Sequence, residues 1–188
     1  MLIIKLKYFC TKIILGEKMR GNSSFISNYD VQDWASCFHA LMMKSYEKKL
    51  RFAKSLNDLM LKSLIIAIAM EHRKIAEVVK TLYHIEKEVD IYSKECKERI
   101  GSSILDNIRE AITTLQDILG KREKSNEDIK KLILALRRLH DINRGVLSVL
   151  SEFSDPIRSK ILAFLAEDFA SYYDLVEKYL IEVLRKSG

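Results

Sequence analysis

Two acidic residues could do chemistry because each one interrupts an apolar helical pattern. Glu71 and Asp168 lie 97 residues apart, and both are flanked by apolar residues at spacings of three and four. Such spacing places a residue on the inner side of an amphipathic helix. A carboxylate buried alone is costly unless it binds a proton, a cation or a metal ion. The two acids therefore predict one shared charged site inside a helical protein.

The segments around these acids form an internal repeat with a constant offset of 97 residues, in which Asp58 matches Asp155 and Glu71 matches Asp168. Their apolar stripes have identical spacing. The stripes are Leu64, Ile68, Glu71, Ile75, Val78 and Leu82 in the first segment and Ile161, Leu165, Asp168, Tyr172, Leu175 and Tyr179 in the second. A duplicated helix of this kind is typical of a bundle built from two helical hairpins.

The rest of the sequence supports an all-α fold. One proline and six glycines in 188 residues favour long helices, and no segment alternates with the period of a strand. We predict a hairpin over 30–100, a crossover helix over 102–120 capped by Ser102 or Ser103, and a hairpin over 126–186. The second helix begins after Asp58, runs at least to Tyr83 and could continue towards Gly101. Residues 1–29 are expected to be an extension, flexible or with Met19 as the true start, followed by a single bundle domain over 30–188.

Two antiparallel hairpins joined by a helical crossover, with inward acids, resemble the ferritin-like superfamily and its rubrerythrin-type four-helix bundles in particular. Residues 63–79 are similar to that family's second helix, and residues 155–180 to its fourth. The resemblance implies a dimetal site with a Glu-x-x-His pair on each of these helices and one glutamate on each of the other two. Glu71 and Asp168 match the acids, but Lys74 and Ser171 stand at the histidine positions.

The metal site implied by the resemblance is therefore incomplete. Asp141 shares the 97-residue offset with Lys44 on the other two helices, but it lies off the apolar stripe of its helix. We expect no cofactor, and we expect Lys74, one turn from Glu71, to neutralise a buried network with Glu71 and Asp168. The alternative is iron or manganese bound by Glu71, Asp168 and Asp141.

The charge distribution argues against a nucleic-acid protein. Residues 1–27 hold five basic residues and one acid, so they account for four of the six net positive charges. The remaining 161 residues are nearly balanced and have no obvious field to attract phosphates. A small basic face formed by Arg137, Arg138 and Arg144 is the place where RNA or an acidic partner would bind.

The three cysteines and residues 1–16 indicate where in the cell the protein is located. Cys10, Cys37 and Cys96 are odd in number, far apart and without a CxxC pair, which indicates reduced thiols in a cytoplasmic protein rather than a disulfide or zinc site. Residues 1–16 are apolar but too short to span a bilayer, so we predict no membrane span. A basic amphipathic anchor there is an alternative.

These observations favour a structural or protein-interaction protein, acting as a homodimer or with another protein, over an enzyme. The alternative is a metal-binding oxidoreductase of the ferritin or rubrerythrin type with an atypical site. A second alternative is a small helical nucleic-acid-binding subunit.

Overall fold

A computed structural model describes residues 28–121 and 125–187, and these residues form helices and no strands. The helices are α1 (Asn28–Lys54), α2 (Leu59–Leu82), α3 (Lys94–Ile100), α4 (Ser102–Leu119), α5 (Asn126–Glu152) and α6 (Pro156–Ser187). The all-α prediction is confirmed. None of the described helices has a stretch long and apolar enough to cross a bilayer. Of the N-terminal extension predicted over 1–29, residues 1–27 lie outside the described residues, and residues 28 and 29 begin α1.

Two aspartates determine where the repeated helices begin. The carboxylate of Asp58 accepts a hydrogen bond from the backbone N–H of Leu61 at 2.9 Å, as an N-cap does. Asp155 accepts two such bonds, from Ile157 at 3.0 Å and from Arg158 at 3.1 Å. The predicted start of α2 after Asp58 is confirmed, and Asp155 caps the matching helix of the repeat.

The prediction that α2 continues towards Gly101 is wrong. The helix ends at Leu82, and two residues later His84 adopts a left-handed backbone conformation with φ of 50°. A non-glycine residue in this region terminates a helix, because it breaks the backbone hydrogen-bonding pattern. The chain then turns back, and α3 forms a separate short helix.

The start of α4 also differs from the prediction. Gly101 is the N-cap, with φ of 96°, and no side chain caps this end of the helix. Ser102 or Ser103 was expected to be the cap, but Ser102 is already the first helical residue. The sharp reversal between α3 and α4 requires a positive φ, which glycine adopts without strain.

The helices pack as two antiparallel hairpins that meet through α2 and α6. The pairs α1–α2 and α5–α6 form the hairpins, and α2 runs antiparallel to α6. At one end of this pair the Tyr179 hydroxyl donates to Asp58 at 3.0 Å, and at the other end the Tyr83 hydroxyl contacts Ser154. The crossover helix α4 packs against α5 and buries one side in the core, so it belongs to the interior of the domain.

The buried side of α6 is one position further along the helix than predicted. Its buried residues are Leu162, Leu165, Ala166, Phe169, Tyr173, Val176 and Leu180. Leu175, which was predicted to be in the core, is mostly exposed, and Asp168 is only partly buried. His72 of α2 and Phe169 of α6, which are 97 residues apart, are therefore the residues at the middle of the buried side of each repeated helix. Both side chains are fully buried.

A disulfide joins Cys37 in α1 to Cys96 in α3, with the two Cα atoms 5.3 Å apart. Both residues are buried, and the Trp34 indole N–H donates to the backbone oxygen of Arg99 at 3.0 Å beside them. The prediction of reduced thiols at these two positions is therefore wrong. The pairing depends on the turn after α2, which returns α3 to α1. The cysteine pattern thus gives no support to a cytoplasmic location.

Candidate functional site

The Lys74 ammonium lies between two carboxylates. It makes a hydrogen-bonded ion pair with Asp168 of α6 and an ion pair with Glu71, which is one turn away on α2. Burial lowers the pKa of Lys74, but the hydrogen bond that its ammonium donates to Asp168 and its pairing with Glu71 outweigh burial, so the pKa is raised above its ordinary value. The lysine therefore remains charged at neutral pH. The structure brings together these three residues of the predicted network.

This network lies at the edge of the α2–α6 contact. Glu71 is 8% exposed, whereas the side chains of Lys74 and Asp168 are 40% and 34% exposed. The expectation that both acids face the interior is thus correct for Glu71 and not for Asp168. The reason is the position of the buried side of α6, which is centred on Phe169.

The candidate metal ligands do not form a metal site. Asp141 has a side chain that is 75% exposed, and its Oδ1 atom lies 3.7 Å from Nδ1 of His140. Within residues 28–121 and 125–187, no three His, Cys, Asp or Glu side chains are grouped so that they could hold a metal ion. Because the Lys74 ammonium occupies the space between the acids, these residues do not fit the dimetal centre that the resemblance implies.

A second polar cluster, which the sequence analysis missed, lies in the core around His72. The Nδ1 atom of His72 is 2.8 Å from the backbone oxygen of Ile68, and its Nε2 atom is 3.2 Å from Lys49 Nζ. The ring meets Phe169 edge-on at 4.8 Å. Burial and then the nearby Lys49 lower the pKa of His72 well below its usual range, so the imidazole is neutral. His72 corresponds to Phe169 at the 97-residue offset of the repeat, and an apolar aromatic residue at the matching position indicates that His72 lies in the core.

The predicted basic face is largely neutralised by acids on neighbouring helices. Arg137 makes two hydrogen bonds to Glu177 of α6, one of them 2.9 Å from Nε to Oε2. The bond to Glu177 is the main reason that the pKa of Arg137 is raised. Arg138 binds Glu110 of α4 at 3.0 Å. Arg144 is exposed. Two of the three guanidinium groups thus form ion pairs with acids of the same chain.

The surface along the α2–α6 contact carries a row of exposed apolar side chains, which we term the outer groove. The row comprises Met60 and Met70 of α2 and Ile157, Phe164 and Leu175 of α6, all between 47% and 73% exposed. These residues lie on the same side of their helices as Lys74 or Asp168, because the spacings of 4, 7, 11 and 14 residues return to one side of a helix. The charged network is therefore bordered by apolar side chains.

Comparisons of the sequence with protein-family models and curated proteins, and of the fold with solved structures, found no match. The resemblance to the ferritin-like superfamily thus rests on the helical pattern and the acid positions alone.

Proposed function

We propose that this chain is a ferritin-like four-helix bundle without a complete dimetal site, and that it acts as a structural or protein-interaction protein that forms a homodimer through the outer groove. The observation that carries the proposal is the row of exposed apolar residues beside a charged network in which one ammonium pairs with both acids. Contiguous exposed apolar surface marks interaction sites. Lys74 pairs with both acids, so a surface that covers this network meets one net negative charge rather than two.

The internal repeat favours a second copy as the partner. Met60 and Ile157 each lie 11 residues before the acid of their own helix, and the two helices run antiparallel. These two positions of the outer groove are therefore related by the approximate two-fold axis of the repeat. A dimer with two-fold symmetry brings the same patch of both copies together, so one exposed apolar patch can form its interface.

Sedimentation equilibrium of the full chain tests this proposal. We expect a dimer, and we expect Phe164→Lys to weaken dimerisation by about 100-fold or more, because it places an unpaired ammonium in an apolar interface. Leu134→Lys is the matched control, since Leu134 is 64% exposed on α5 and Phe164 is 65% exposed. A monomeric wild-type protein at high concentration would overturn the proposal, and so would equal effects of the two substitutions.

The two alternatives have less support. An oxidoreductase of the rubrerythrin type needs metal ligands where Lys74 lies. A nucleic-acid-binding subunit needs cations that are not already paired with acids, whereas Arg137 and Arg138 bind Glu177 and Glu110. We therefore propose no cofactor and no nucleic-acid partner.

A further inference from the structure

A small cavity lies in the core where α1, α2, α4, α5 and α6 meet. Its volume is about 40 Å³, and apolar atoms form almost all of its surface. Each of the five helices contributes at least one apolar or aromatic side chain to the lining, among them Phe52 of α1, Ile68 of α2 and Leu115 of α4. The cavity is thus a feature of the whole bundle and not of one helix pair.

The polar residues that line the cavity contribute carbon atoms to its surface. Lys48, Lys49, Gln116 and Tyr173 belong to the lining, yet polar atoms make up almost none of it. The Nζ atom of Lys49 lies 3.2 Å from Nε2 of His72, which is not part of the lining. The aliphatic stems of long polar side chains commonly cover apolar surface in this way. The interior of the cavity is therefore an apolar environment.

This surface suits an occupant that makes no hydrogen bonds. A buried water needs two to four polar partners, which the lining does not offer. A charged ligand would lose its hydration without gaining a partner, and that loss is costly. An uncharged apolar molecule avoids both costs, and it supplies the dispersion contacts that the side chains around a void lack.

The cavity lies next to a groove on the protein surface. Leu136 and Tyr173 line both the cavity and this groove, which runs between α5 and α6 and has a volume of about 430 Å³. The Tyr173 hydroxyl has no hydrogen-bond partner among the described residues, so rotation of the ring breaks no hydrogen bond. Side-chain movements can therefore connect the cavity with solvent.

We infer that this cavity is a binding site for small uncharged apolar molecules of up to about four heavy atoms. The volume sets the upper size. An apolar cavity of about 150 Å³ binds benzene, and the cavity here has roughly a quarter of that volume. Aromatic ligands are therefore excluded by size, and ligands that carry a carboxylate or phosphate are excluded by the apolar surface.

Xenon tests the inference because it is apolar, uncharged and unable to form hydrogen bonds. In methyl ¹H–¹³C spectra of the full chain under xenon pressure, we expect several-fold larger shifts at Ile68 and Leu139 than at Ile100 and Ile104. All four residues are buried, but only the first two line the cavity. Benzene should not shift the methyl signals of Ile68 or Leu139. The inference is overturned if xenon shifts the cavity methyls no more than the others, or if benzene shifts them as xenon does.

Two substitutions on α4 form a matched pair for a second test. Leu115 lines the cavity and Leu105 does not, and the two residues are 9% and 8% exposed. Leu115→Phe should place its ring in the cavity and abolish the xenon shift at Ile68. It should also lower the melting temperature less than Leu105→Phe, which must displace packed neighbours and should keep the xenon shift.

A folded Leu115→Phe protein that retains the wild-type xenon shift at Ile68 would contradict the inference, and so would an equal loss of this shift in both variants. If either variant fails to fold, the comparison of cavity and control methyls in the wild-type protein decides the question.

Discussion

At the scale of single residues, Lys74 holds two acids that would otherwise repel each other. Lys74→Ala should lower the free energy of unfolding by about 1–3 kcal/mol, between the values for exposed and buried ion pairs, because Lys74 and Asp168 are partly exposed. Glu71→Gln should cost less, because it removes one charge and leaves the Lys74–Asp168 pair intact. Urea unfolding of the three proteins gives the comparison. Equal or milder destabilisation by Lys74→Ala would contradict this role.

The buried amine of Lys49 makes stability depend on pH. Its pKa falls from an ordinary value of 10.5 to about 7 on folding, so between these pH values the unfolded chain binds more protons than the native state. Stability should therefore rise as pH increases from 7 to 10. The titratable groups beside Lys49 are Lys48 of α1 and His72 of α2. Tyr173 of α6 lines the same small cavity as Lys49, and the residues of α4 and α5 that line it carry no titratable side chain.

The measurement compares wild type with Lys49→Met, which keeps the length and loses the charge. The free energy of unfolding of wild type relative to this variant should increase by on the order of 3 kcal/mol between pH 7 and pH 10. Lys48→Met serves as the control for an ordinary neighbouring lysine. A difference between wild type and Lys49→Met that does not change with pH would show that Lys49 titrates normally.

The two polar clusters differ in how far the sequence predicted them. Lys74 and Glu71 are one helical turn apart, so their pairing follows from local spacing. The contact between Lys49 and His72 joins two helices and depends on which sides of α1 and α2 face each other. No local pattern records that choice, because lysine and histidine are common on solvated surfaces.

At the scale of the elements, the disulfide is the connection that holds α3 on α1. It closes a loop of 59 residues, and in the chain-entropy model a loop of this length is worth roughly 4 kcal/mol. Replacing both Cys37 and Cys96 by alanine should therefore lower stability by about 2–4 kcal/mol and lower the melting temperature. A reducing agent should lower the melting temperature of wild type and not that of the double variant. Identical responses would contradict the disulfide.

The error in α6 has a physical origin in the width of its apolar side. Ile161, Leu165 and Tyr172 form one possible stripe, and the neighbouring stripe through Phe169 and Tyr173 is equally apolar. A helix packed between two partners needs such a wide apolar side. The positions of α2 and α5 determine which of the two stripes is buried most deeply, and the sequence of α6 alone does not contain that information.

At the scale of the whole molecule, the helical content and both hairpins could be predicted because they depend on periodicity, caps and short loops. The position of α4 in the bundle could not be predicted. This helix was expected only to carry the chain across the bundle, yet it packs on α5 and lines a small cavity in the core together with residues of α1, α2 and α6. Its amphipathic pattern shows that it buries one side, but not against which helices.

The proposed ferritin-like arrangement can be tested by restoring the ligands that the family would have. Glu71 and Asp168 both contact one ammonium, so a single ion can lie between them. Replacing Lys74 by His removes that ammonium, and Ser171→His adds a second imidazole one turn from Asp168. Two carboxylates and two imidazoles form a ligand set that suits Zn²⁺ or Co²⁺ in tetrahedral geometry.

We expect the double variant Lys74→His, Ser171→His to bind one Co²⁺ per chain, with the visible absorption of a tetrahedral site, and to melt at a higher temperature when the metal is present. The double variant Lys74→Ala, Ser171→Ala removes the same two side chains without adding ligands, and it should not show this absorption. If both double variants fail to bind while remaining folded, the acids are not placed as in a ferritin-like bundle. The charged network would then be a feature of the α2–α6 contact alone. The proposed dimer through the outer groove does not depend on this result, because sedimentation equilibrium tests it independently.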